Sequence, residues 1–314
     1  MSAILNITFP IFALVALGYF SVWKGLFKSA DMRVFGQFVM MFSLPALLFN
    51  AVSRTPIQEV LNLGYMAVYL AAAGATALVV YAVLALTGTD APRRAAAVLG
   101  AVAPNSGFVG YPTMLLAFPD EATRVLAMNM LVENFAILPA CFVLMELAKP
   151  GRHGSAIGTA GQVIWSVLRR PMVIAIILGA LFAALNLPMP ATLDKVFSML
   201  AVSASSLALF FIGGALVGLP FRGNRGLAAF IALGKLVVFP AVAFALLLLA
   251  PTIGLPLLDR DMQVILVLSA AMPMISIYAI LCQEAGTEGL ASLALLGTTS
   301  ASFLTLSVLL VWLL

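Results

Sequence analysis

Charge is scarce in this chain. Of 314 residues, 9% are Asp, Glu, Lys or Arg, against about 25% in an ordinary soluble domain. Histidine occurs once, at His153, and cysteine twice, at Cys141 and Cys282. A lone histidine rules out a His-Glu-x-x-His zinc helix, and no glycine-rich loop ends in Gly-Lys-Ser or Gly-Lys-Thr. Zinc-dependent hydrolysis and nucleotide-driven pumping therefore lack their chemistry. Both cysteines sit inside apolar stretches, which supply neither a disulfide framework nor metal-ligand spacing, and they read as small buried residues. No catalytic constellation, metal site or cofactor motif is legible. The net charge of +4 lies beside apolar runs, where basic residues set membrane orientation, so nucleic acid is not an expected partner.

What is present is hydrocarbon. The chain is 63% hydrophobic with a mean hydropathy of +1.15, which marks an integral membrane protein. Its apolar runs are near 20 residues long, the length of a helix crossing a core about 30 Å thick rather than of barrel strands of about 10 residues. Ten spans are predicted: 3–23, 34–53, 62–87, 93–118, 123–147, 170–187, 196–219, 227–250, 262–283 and 289–313. The first has no basic region ahead of it and no small-residue cleavage site before Lys24, so it reads as a mature helix rather than a signal peptide. The longest polar stretch, 149–169, separates five spans (1–148) from five (170–314). Loops after odd-numbered spans hold eleven basic residues, Lys24, Lys28, Arg33, Arg93, Arg94, Lys149, Arg152, Arg169, Arg170, Arg222 and Arg225; loops after even-numbered spans hold Arg54, Arg124, Lys195 and Arg260. The odd loops are expected in the cytoplasm and both termini outside. Since five is odd, the two halves run in opposite senses: two inverted five-helix repeats.

Two spans are broken by proline. Span four carries Pro104, Asn105, Ser106, Gly107, Gly110 and Pro112, and span nine carries Met272, Pro273, Ser276 and Tyr278. Proline removes a backbone donor and clashes with the carbonyl one turn back, and an unpaired backbone group in hydrocarbon costs several kcal/mol. Paired interruptions at corresponding places in two halves point to the midplane site of a secondary transporter. Span four is expected to split into two half-helices with Asn105 and Ser106 at the start of the second, where amides and dipole suit a carboxylate. The competing interpretation is an ordinary proline kink. Small polar faces on span two (Ser43, Asn50) and span seven (Ser203, Ser205, Ser206) either line the opposite wall or serve close packing, as Gly213-Gly214-Ala-Leu-Val-Gly218 does.

Two ionisable groups fall at hydrocarbon depth, Glu133 in span five and Lys235 in span eight. Such charges face a cavity or a partner. Lys235 is expected to neutralise Glu133 or the carbonyl ends at the break, the alternative being that it snorkels to the interface along its own stem. Either proton or Na+ coupling is compatible with this set.

These motifs resemble the auxin efflux carrier family, bacterial branch. The resemblance rests on Phe42-Ser-Leu-Pro45-Ala-Leu-Leu-Phe49, Pro104-Asn105-Ser-Gly-Phe-Val-Gly110-Tyr-Pro112, Lys235-Leu-Val-Val-Phe-Pro240, and Ala271-Met-Pro273-Met-Ile-Ser-Ile-Tyr278 followed by Glu284-Ala-Gly286. It implies an all-α protein of ten transmembrane helices in two inverted five-helix repeats, with spans four and nine crossed. It also implies a scaffold of spans one, two, six and seven, a mobile transport domain, elevator-type alternating access and an organic-anion substrate. By the same resemblance Asn105 is a substrate contact. The span-nine motif and Pro139-Ala-Cys-Phe-Val-Leu-Met-Glu146 look most like carriers of malonate or related dicarboxylates, and pairing through the scaffold is common among relatives. The expectation is a malonate-like carboxylate carrier of the bacterial inner membrane, the alternatives being a carrier of another monocarboxylate or auxin-like weak acid, or a non-transporting membrane sensor.

Overall fold

Prolines decide where these helices change form. The computed structural model describes residues 2–54, 61–148, 161, 165, 167–218, 224–253, 258–283 and 285–313; His153, Arg222 and Glu284 lie outside them. All regular elements among the described residues are helical, with no sheet. In chain order they are α1 (Ser2–Trp23), α2 (Ser29–Arg54), α3 (Leu63–Leu86), α4 (Ala91–Val102), α5 (Tyr111–Ala117), α6 (Ala122–Leu147), α7 (Pro171–Ala184), α8 (Ala191–Ala215), α9 (Arg225–Leu249), α10 (Arg260–Ala271), α11 (Tyr278–Leu281) and α12 (Glu288–Leu313). Six of them, α2, α3, α6, α8, α9 and α12, are long and apolar enough to cross a membrane.

Four π-helical segments interrupt the α geometry, at Val39–Ser43 in α2, Ser106–Gly110 ahead of α5, Glu133–Ile137 in α6 and Gly234–Val238 in α9. Each ends two residues before a proline: Pro45, Pro112, Pro139 and Pro240. The cause is local. Proline cannot donate to the carbonyl four residues back and its ring collides with it, and widening the preceding turn relieves the clash. The wider ring is visible in the hydrogen bonds of the preceding residues: Leu44 N–H reaches Val39 O, Leu138 N–H reaches Glu133 O, and Phe239 N–H reaches Gly234 O, all five residues back. Both intramembrane charges, Glu133 and Lys235, belong to such segments.

The chain divides into two compact units, each drawn from both halves of the sequence. The first comprises Met1–Asn62, Ser106–Leu131 and Leu168–Gly218. In it α8 packs along α1 and α2, and α2 along α7. A Cβ built on Gly18 would strike the Phe210 carbonyl and one on Gly213 the Val15 carbonyl, so α1 and α8 touch backbone to backbone. Only glycine permits that approach, as at small-residue contacts between membrane helices. Phe49 of α2 rests against Phe182 and Phe197, with ring centroids at 5.3 and 5.0 Å.

The second unit comprises Leu63–Asn105, Val132–Val167 and Leu219–Leu314. Here α3 packs on α4 and α9, and α12 on α9, α10 and α11. Tyr65 stacks on Tyr69 at 6.0 Å and Tyr69 on Phe239 at 5.9 Å, a column of rings between α3 and α9.

Candidate functional site: two interrupted helices and a buried charge pair

Both predicted breaks are present. α4 stops at Val102 and helical structure resumes at Ser106; α10 stops at Ala271 and resumes at Tyr278. The extended residues between them hold each other. Asn105 N–H donates to the Pro273 carbonyl at 2.8 Å, Ile275 N–H donates to the Ala103 carbonyl at 2.9 Å, and Pro104 opposes Met274 in an isolated antiparallel bridge. Two broken helices thus satisfy part of one another's backbone, which membrane burial demands of every interrupted helix.

The side chain of Asn105 adds a third link, its Nδ2 donating to Ser276 Oγ at 2.7 Å. The crossing is almost closed: Asn105 is 3% exposed, Ser106 2% and Met272 0%, while Ser276 is half-buried. Pro104, Gly107 and Pro273 are buried as well. Tyr278 faces away from the crossing. Its hydroxyl donates to the Ala96 carbonyl at 2.8 Å, and a Cβ on Gly100 would lie 2.8 Å from that oxygen, so Tyr278 ties the end of the span-nine break to α4. The two breaks also differ. Span four resumes over a π segment and α5, residues 106–117, whereas α11 is one turn of four residues.

In the same unit Lys235 is wholly buried, which excludes snorkelling. Its Nζ donates to the Ala270 carbonyl at 2.6 Å and lies 4.5 Å from the centre of the Phe239 ring. Ala270 is the penultimate residue of α10, so the ammonium caps the carbonyl end of the half-helix that Pro273 terminates. Glu133, 4% exposed, interacts electrostatically with Lys235 and accepts a hydrogen bond from the Tyr69 hydroxyl at 3.0 Å. Tyr65 donates to Ser269 at 3.0 Å, one residue earlier on α10. Tyr65 and Tyr69 were not anticipated. Their signal was present: two tyrosines one helical turn apart in an otherwise aliphatic span, each needing a partner for its hydroxyl when buried.

The remaining predicted residues belong to the first unit. Ser43 and Ser203 hydroxyls meet at 2.8 Å; Ser203 gives its proton to the Leu200 carbonyl, so Ser43 is the donor to Ser203. Gly107 abuts Leu44, 2.9 Å from where a Cβ would sit. Asn50 lines an open cavity of about 460 Å³ with Arg54, Asp120, Thr123, Arg124 and Ser198. Its Oδ1 has no hydrogen-bond partner, and neither has Ser205 Oγ. Arg54 pairs with Asp194 and Arg124 with Glu121 at 3.2 Å, so both guanidiniums in this wall are locally balanced by carboxylates. Cys141 and Cys282 are free and buried.

Apolar membrane-length helices, proline interruptions that bind one another, and a charge pair kept from lipid define a multi-pass protein of the membrane-transporter class. The chain belongs to the Membrane transport protein family, the auxin efflux carrier family, whose pattern it matches over residues 3–310. It is 27% identical over 253 residues to a protein described as a "Putative malonate transporter" from Rhizobium meliloti (strain 1021), covering 78% of this chain and 76% of that one. It is 26% identical over 271 residues to the "Uncharacterized transporter YfdV" of Escherichia coli (strain K12), covering 84% and 82%. A third relative, the "Lysosomal cholesterol signaling protein" of Mus musculus, is 25% identical over 264 residues, which span 80% of this chain and 29% of that one.

Proposed function

We propose that this chain is a secondary carrier of a small organic anion, malonate-like, in a bacterial inner membrane, with ten spans in two inverted repeats, both termini outside, and elevator-type alternating access. The observation that carries the proposal is the reciprocal pairing of the two interrupted helices around Asn105. The Asn105 amide, which donates to Ser276 Oγ at 2.7 Å, is proposed to turn this donor to a substrate carboxylate when substrate binds. Pro104, Ser106, Gly107, Met272, Pro273 and Ser276 are proposed as further substrate contacts, and so are Ser43, Asn50 and Ser205. The proposed pairing of two copies runs through the scaffold spans.

A malonate-sized substrate is favoured by the description of the Rhizobium meliloti relative. A non-transporting sensor is the second reading, favoured by the relative described as a signaling protein. Uptake of labelled malonate into proteoliposomes separates them. Saturable uptake competed by unlabelled malonate is expected; anion binding without flux would replace the carrier with the sensor, and flux of a monocarboxylate but not malonate would replace the substrate.

A further inference from the structure

The negative end of a half-helix inside a membrane is where transporters hold an inorganic cation, using carbonyl oxygens that the break has freed. In this chain the Ala270 carbonyl, at that end of α10, is instead met by the Lys235 ammonium at 2.6 Å. The ammonium's remaining surroundings are those a bound cation would need: the face of Phe239 at 4.5 Å and the carboxylate of Glu133 acting on it through space. Glu133 is itself fixed by Tyr69 at 3.0 Å. Lys235 and Glu133 each lie in a π-helical turn that ends two residues before a proline. Lys235 is wholly buried, so its charge is not shared with solvent.

We infer that Lys235 is a tethered cation occupying the place of an exchangeable one, so that the break in span nine is electrically complete without Na+. Lys235 is then a positioning residue: it neutralises the carbonyl end of α10 and acts on the anion only through the geometry of the break. Two consequences follow. The protein is indifferent to Na+, and shortening Lys235 opens a cavity with a carbonyl and a carboxylate on its wall, a site fit for Na+.

The test is thermal unfolding of the purified full chain in NaCl against choline chloride at equal ionic strength, for the native protein, Lys235→Ala and Lys235→Gln, with Na+-dependent malonate uptake of the native protein alongside. The native protein is expected to melt at the same temperature in both salts; Lys235→Ala is expected to melt lower in choline and to regain several degrees in NaCl. Lys235→Gln fills the volume without the charge and is expected to melt low in both salts. Na+ stabilisation of the native protein, uptake that requires Na+, or a Lys235→Ala protein blind to Na+ would each overturn the inference. If Lys235→Ala fails to accumulate, the two native-protein measurements decide it. The uptake arm rests on the carrier reading and the melting arm does not: native protein that moves no malonate sinks the proposed function alone.

Discussion

Replacing Asn105 by alanine removes one side chain with two duties, a hydrogen bond seen in the structure and the anion contact proposed above. One amide proton goes to Ser276 Oγ at 2.7 Å, a bond between neutral groups; its loss costs about 0.5–1.5 kcal/mol of stability. The second duty, the proposed donation to the substrate carboxylate, is a hydrogen bond to a charged group, whose loss costs about 1.5–3 kcal/mol of binding, or roughly 10- to 150-fold in Kd. Ser276→Ala removes the first bond and leaves the second. Proteoliposome uptake at graded malonate concentrations, with thermal unfolding as the control for folding, is the assay. Asn105→Ala should raise KM at least tenfold by this arithmetic, with a modest fall in melting temperature. Ser276→Ala should show a similar melting shift with KM changed by less than about threefold, the effect of a pocket group that does not itself bind charge. Equal KM values for the native protein and Asn105→Ala, or equal losses in the two variants, would refute the assignment of Asn105 as the anion contact.

Tyr69→Phe strips the hydroxyl that holds Glu133 at 3.0 Å, so a drop of about 1.5–3 kcal/mol in stability is expected from a buried carboxylate losing a donor, measured by chemical or thermal unfolding in detergent. Gly213→Ala should disrupt the backbone contact of α1 with α8 and destabilise by about 1–3 kcal/mol, as overpacking does; Gly74→Ala, where nothing lies within 4 Å of the added carbon, is the matched control and should melt like the native protein. Gly100→Ala would place a methyl 2.8 Å from both Ile231 Cγ2 and the Tyr278 hydroxyl and 2.9 Å from Tyr278 Cζ; melting temperature and uptake should both fall, Tyr278→Phe, which keeps Cζ, should not restore them, and native-like behaviour of Gly100→Ala would show that the steric account is wrong.

Much of this protein was legible because its determinants are covalent and local. Apolar runs of membrane length need no partner to be recognised, and a proline lacks its donor wherever it stands. Pro104 and Pro273 therefore announced the breaks, whereas the widened turns ahead of Pro45, Pro112, Pro139 and Pro240 were not announced by proline alone, since Pro10 sits inside a continuous α1. What the freed groups bind is a different kind of fact. Asn105 meets Ser276 171 positions later, Glu133 receives Tyr69 from 64 positions earlier, and Lys235 turns inward to Ala270 rather than outward along its stem. Tyr278 stood in the same motif as Ser276 yet serves packing, because Gly100 of α4 leaves room for its ring. Composition and proline position alone determined that this chain lives in a membrane and where its helices must fail. Only the folded chain decided which partner repairs each failure, since a buried polar group takes whatever complementary atom long-range packing brings within about 3 Å.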